Sequence, residues 1–139
     1  MTETTVLPSP APTIDPETKP YWDATLRGKL LIRRCNACGE AHWYPRTLCP
    51  FCGSFDTEWL ETAGQGEIYT FAITRKGLGH YSGVGPYVLA FVTLDEGPSM
   101  LTNIIECDVD DVQIGDRVEV VFHKTNAEAA LPRFRPVAR

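Results

Sequence analysis

The 139-residue sequence has no apolar run of the length needed to cross a bilayer, so no membrane-spanning helix is expected. It also lacks a basic excess: 13 Lys and Arg stand against 18 Asp and Glu, for a net charge of −5. A chain that grips a polyphosphate backbone needs the opposite balance, which leaves nucleic acid as the runner-up partner. No charged n-region followed by an apolar h-region stands ahead of the cysteines. The reading is therefore a cytoplasmic protein with reduced thiols. Histidine is scarce, and His42, His80 and His123 lie far apart. Acyl transfer needs a nucleophile, a base and an oxyanion hole brought together, and no such set is found, so no catalytic residue is assigned. Internal repeats are absent as well.

What the chain does have is five cysteines, four of them in two knuckles. Cys35-Asn36-Ala37-Cys38-Gly39 is answered after ten residues by Cys49-Pro50-Phe51-Cys52-Gly53. Two C-x-x-C-G turns this close place four thiols around one ion, the tetrahedral arrangement that structural zinc prefers. Each glycine follows the second thiol of its pair, where the backbone must turn back sharply. The spacing is shorter than the roughly 15 to 20 residues of common ribbons, which points to a rubredoxin-like ribbon. Iron fits the same four thiolates and stays open beside zinc. A closed set of four protein ligands leaves no position for water, so the metal is structural. Cys107 ends an apolar run and is read as a small buried hydrophobe.

Along the chain, residues 1–13 are rich in Pro, Ser and Thr and read as a flexible tail. Residues 14–28 form a helical segment in which a two-turn helix over 20–27 ends at Gly28. Tyr21 and Trp22 on this helix either cap the core or face another subunit or ligand. Residues 29–57 are the ribbon, with strands over 29–34 and 41–45. Trp43, Tyr44 and Phe51 are more aromatic surface than so small a module can bury by itself. Residues 58–139 turn to strands punctuated by turns: 68–74, 87–94, 99–106, 117–123 and 133–137. Five strands with an acidic linker between the third and fourth fit an OB-type barrel better than a sandwich. The strand over 87–94 is apolar on both faces, so its outer face needs a cover: the ribbon, the helix or a partner.

In this order stand Tyr21-Trp22, Gly28-Lys29-Leu30-Leu31, the two knuckles, Gly66-Glu67-Ile68-Tyr69-Thr70-Phe71, Pro86-Tyr87-Val88, Leu94-Asp95-Glu96-Gly97, Ile114-Gly115-Asp116-Arg117-Val118 and Pro132-Arg133-Phe134. The ordered set resembles the family catalogued as domain of unknown function 35 (DUF35), over roughly residues 20–137. The resemblance implies a rubredoxin-like zinc ribbon at Cys35, Cys38, Cys49 and Cys52 followed by an OB-fold. It implies too a non-catalytic accessory subunit of a thiolase-like enzyme, a ketothiolase or an aldolase that shortens sterol side chains. Such a subunit would help form an acyl-CoA site and work in lipid or steroid metabolism.

For a CoA thioester ligand, the glycine-rich loop with Arg75, Lys76, His80 and Tyr81 is the candidate, because basic and aromatic groups on a loop suit a phosphate and an adenine. The plainer reading is a solvated hairpin loop. Arg133 and Arg135 are a second anion candidate. For the partner enzyme, Tyr21, Trp22, Trp43 and Tyr44 are the candidate contacts. Two other classes remain open: a single-stranded nucleic-acid binder, which OB barrels and ribbons both serve, and an independent enzyme using the His80 loop.

Overall fold

A computed structural model describes residues 7–125 and 128–137. One helix and eight strands follow in order: α1 (Lys19–Thr25), β1 (Leu31–Cys35), β2 (Ala41–His42), β3 (Thr57–Glu61), β4 (Gln65–Thr74), β5 (Tyr87–Leu94), β6 (Ser99–Ile104), β7 (Arg117–Lys124) and β8 (Ala130–Pro136). The protein is mainly β. The first three strands make the ribbon sheet, ordered β2-β1-β3, and the other five close a barrel ordered β4-β5-β6-β8-β7. That barrel is the expected OB-fold.

The helix begins where Pro20 fits the first turn, and Asp15 Oδ1 accepts from both the amide and the hydroxyl of Thr18. It is shorter than the expected 20–27. The chain tightens after Thr25: the amide of Gly28 donates to Thr25 O and that of Lys29 to Ala24 O, with Gly28 at φ +72°. This is a Schellman-type stop, which satisfies the last carbonyls by leaving the helix. β2 also stops early, at His42 rather than at residue 45, because Trp43 and Tyr44 leave the ladder to meet the aromatic side chains of α1.

A bulge lies between Ile68 and Thr70 in β4. Strict alternation would put Tyr69 on one face with Phe71 and Ile73. Instead Ile68 is buried, Tyr69 is exposed, and Phe71 and Ile73 pack against the core. β6 ends at Ile104, two residues before its expected limit, and the barrel closes there through a parallel contact with Phe134. The Ile105 amide donates to Phe134 O at 2.8 Å.

One continuous core joins the parts. Tyr21, Trp22, Leu30 and Ile32 from the helix and ribbon share it with Ile68, Val88, Val92, Met100, Val118 and Phe134 of the barrel. The two are also tied by hydrogen bonds: Ala130 N donates to Thr25 Oγ1 at 3.0 Å, and the Thr62 amide and hydroxyl both reach Leu30 O. The described part of the N-terminal stretch makes contacts with the barrel. Leu7 is buried, and Ser9 and the Pro8 carbonyl are held by Arg133. Residues 1–6 lie outside the described residues. Among the described residues no helix is long and apolar enough to cross a membrane.

Candidate metal centre and its surroundings

The two knuckles fold alike because their sequences are alike. Gly39 N donates to Cys35 O and Gly53 N to Cys49 O, with φ of +80° and +79° at the two glycines. A positive φ strains any side chain with a Cβ, which is why glycine stands at both places. The turns bring the Sγ atoms of Cys35, Cys38, Cys49 and Cys52 within 4.8 Å of one another. Cys35 and Cys52 are 3.6 Å apart at sulfur, and Cys38 and Cys49 are 3.7 Å apart. A tetrahedron of sulfurs at about 2.3 Å from zinc has edges of about 3.8 Å. The set therefore has the dimensions of a metal cage.

Its electrostatics also call for a cation. Burial raises the Cys49 thiol, but the amides of Cys52 and Phe51 and the sulfurs of Cys38 and Cys52 together lower it to about 7. At Cys38 the backbone hydrogen bond at Glu40 favours the thiolate, yet desolvation and the three crowded sulfurs push the thiol up to about 12. Four thiolates cannot share this space without a positive centre among them. Cys107 stands apart, half-buried and packed against the core.

The four candidate partner contacts are brought together, but mostly inward. Trp22 Nε1 donates to Tyr44 Oη at 3.0 Å, and Trp43 Nε1 donates to Tyr21 Oη at 3.1 Å. Tyr21 and Trp22 are 1% and 6% exposed and belong mainly to the core. Burial holds the Tyr21 phenol well above its ordinary range. Trp43 and Tyr44 are half-buried. With Tyr21, Trp22, Leu101 and Arg133 they line a crevice of about 170 Å³ where helix, ribbon and barrel meet.

The loop candidates do not converge. Arg75 is paired with Asp110 at 3.4 Å, Lys76 and His80 are exposed, and Tyr81 turns inward to accept from Arg133 Nη2 at 3.1 Å. Arg135 is exposed and paired with Glu119 and Glu106. Arg133, by contrast, is 2% exposed. Its guanidinium donates to Ser9 Oγ, Pro8 O, His123 Nδ1 and Tyr81 Oη, all neutral. Sequence reading had no signal for this hub, since its partners lie up to 125 positions away.

A rubredoxin-like ribbon joined to an OB barrel defines a recognisable class of two-module proteins. Two family models match consecutive stretches: the ChsH2 rubredoxin-like zinc ribbon domain over residues 22–58 and the ChsH2 C-terminal OB-fold domain over residues 59–123. A DUF35 domain-containing scaffold protein of Methanothermobacter thermautotrophicus is 34% identical over 103 residues, covering 73% of this chain and 77% of that one. The chain belongs to the DUF35 family.

A probable enoyl-CoA hydratase alpha subunit of Thermomonospora curvata is 35% identical over 127 residues, 91% of this chain. The chain spans 40% of the length of that relative. Among solved structures, one described as "Ltp2-ChsH2(DUF35) aldolase" aligns with a TM-score of 0.79 and 34% identity, covering 92% of this chain and all of the matched one. A DUF35 protein from Sulfolobus solfataricus, at 14% identity and a TM-score of 0.64, shares the fold.

Proposed function

We propose that this chain is a non-catalytic scaffold subunit of an acyl-CoA enzyme complex, docked on a thiolase-like enzyme and helping to form its acyl-CoA site in lipid or sterol breakdown. The observation that carries the reading is the likeness, over nearly the whole chain, to the DUF35 component of an aldolase. The relative named as an enoyl-CoA hydratase subunit supports a thioester setting. So does the chemistry of the chain itself: four cysteine ligands leave the cage no open position for a substrate or water.

Zinc is the metal that the ribbon would hold, bound by Cys35, Cys38, Cys49 and Cys52. When bound it supplies four bonds that close the clasp, and no reaction step. The cage's own residues set that role: the glycine turns aim the thiols, and amides such as Phe51 N, 3.4 Å from Cys49 Sγ, favour the thiolate form. The site of action is the cytoplasm.

The test is to co-express the chain with the thiolase-like enzyme of the same organism and to assay carbon–carbon cleavage of a CoA thioester. The expected result is a stable hetero-oligomer, turnover by the complex and none by the chain alone. Turnover by the purified chain, lost in His80→Ala, would establish an independent enzyme instead.

A further inference from the structure

The crevice where helix, ribbon and barrel meet is rich in hydrogen-bond donors and poor in acceptors. Tyr21, Tyr44 and Tyr81 all line it, together with Arg133. Each phenol oxygen accepts one bond: Tyr21 from Trp43 Nε1 at 3.1 Å, Tyr44 from Trp22 Nε1 at 3.0 Å and Tyr81 from Arg133 Nη2 at 3.1 Å. A hydroxyl that accepts still has its own hydrogen to give. None of the three donates to another group among the described residues. Of the other polar side chains on the walls, Thr102 gives its hydroxyl hydrogen to Pro132 O, and Asn103 donates from Nδ2 to Val88 O, which leaves Asn103 Oδ1 as a neutral acceptor.

The charge of the crevice has one sign. Arg133 is 2% exposed, and Nη1 and Nη2 reach only neutral acceptors. The fifth N–H of the guanidinium, at Nε, has no acceptor among the described residues. No Asp or Glu lines the crevice, and Glu106, the acid whose field reaches His123, pairs with Arg135 at 3.6 Å. A buried cation without a counter-ion and several buried donors without acceptors both call for the same thing, an anion with more than one oxygen. Water accepts such hydrogens too, but it brings no negative charge to Arg133 and gains nothing from the apolar walls of Trp43 and Leu101.

We propose that this crevice binds a small organic carboxylate, whose oxygens accept from the tyrosine hydroxyls and Arg133 Nε while its apolar body lies against Trp43 and Leu101. A volume of about 170 Å³ limits that body to one ring or a short chain. Bare phosphate would leave the aromatic walls unused, and a neutral ligand would leave the cation unpaired. The site is made by this chain alone and is independent of the scaffold role.

The experiment titrates the full metal-loaded chain with sodium benzoate, following tryptophan fluorescence and amide chemical shifts, beside benzyl alcohol and inorganic phosphate. The proteins are wild type and Tyr44→Phe with Tyr81→Phe, which removes two donors and keeps both rings. Benzoate is expected to saturate one site on the wild type, with shifts centred on the residues of the crevice, and to bind the double variant at least tenfold more weakly. The variant should keep the wild-type circular dichroism and metal content. If it unfolds, Leu101→Trp, which fills the crevice from a half-exposed rim position and touches none of the donors, should abolish binding instead. Absence of benzoate binding by the wild type overturns the proposal, as does a folded variant that binds like wild type. Equal binding of benzyl alcohol would show that charge is not read, and equal binding of phosphate that the apolar walls are not; either result overturns the assignment to a carboxylate.

Discussion

Arg133 donates from Nη1 to Nδ1 of His123 at 2.8 Å, across the register that joins β7 to β8. A guanidinium has no acceptor, so His123 must hold Nδ1 unprotonated. Burial is the larger reason that its pKa falls below the ordinary value, Arg133 the second, and Glu106 opposes them. The buried His42 is lowered too, first by burial. A histidine lowered in the folded state binds protons more readily when unfolded. Stability should therefore fall as pH drops below about 6.5 towards the folded value, and be full above it. Melting temperature measured from pH 7.5 to 5 checks this. His123→Asn, which keeps an acceptor near Nδ1 but does not titrate, should flatten part of the slope.

The same guanidinium holds the Pro8–Ser9 segment and the glycine loop to the barrel. Arg133→Met should cost about 2 kcal/mol through lost hydrogen bonds. Hydrogen exchange should quicken across residues 76–86 and leave β5 protected. Unchanged exchange in that loop would mean that Tyr81 does not depend on Arg133.

Metal loss should separate the modules. Cys38→Ser or strong chelation removes metal binding worth on the order of 10 kcal/mol from the ribbon. Thiol alkylation should then become rapid, while far-UV circular dichroism keeps the barrel signal. Because Leu30 and Ile32 belong to the common core, the barrel should melt at a lower temperature as well. Elemental analysis of the wild type is expected to find one metal ion per chain.

Tyr21→Phe should cost about 1–2 kcal/mol, since it leaves the Trp43 indole N–H without its acceptor. Tryptophan fluorescence should shift, and denaturant titration gives the energy. Trp22→Phe, which frees Tyr44, should act through the same junction. The two changes should be non-additive if the crossed pairs work as one unit.

Gly66→Ala should prevent folding or destabilise it by about 3 kcal/mol or more. A Cβ there would collide with the Thr93 carbonyl oxygen and stand 2.9 Å from Val92 Cγ1, and neither β4 nor β5 can shift without opening the barrel. The soluble yield and melting temperature of this variant beside the wild type test the point.

Much of this architecture was legible in advance where the signal is local. The expected strand over 87–94 coincides with β5, because eight residues of high β propensity lie between turns on both sides. The knuckles were legible for the same reason: thiol and glycine spacing sets a turn whatever surrounds it. The helix and β2 were placed with ends two or three residues off, since termination there depends on contacts with distant aromatics and on a tightening turn. The outward turn of Tyr69 was not legible, because a bulge leaves no mark in an alternating pattern.

The candidate contacts divide in the same way. Tyr21 and Trp22 were singled out by composition, but only the fold shows that each pairs with a residue 22 positions on and turns away from solvent. Arg133 looked like one surface cation among several until the barrel enclosed it.

By itself the sequence determined the four-sulfur set, the glycines that turn it and the strand periodicity. Each of these is a property of neighbours along the chain, fixed by sterics and spacing. The tertiary structure alone decided which apolar face is covered, which cation is buried and which aromatics meet. Those outcomes depend on packing between segments as far apart as Pro8 and Arg133, where the free energy belongs to the closed barrel and to no single stretch of it.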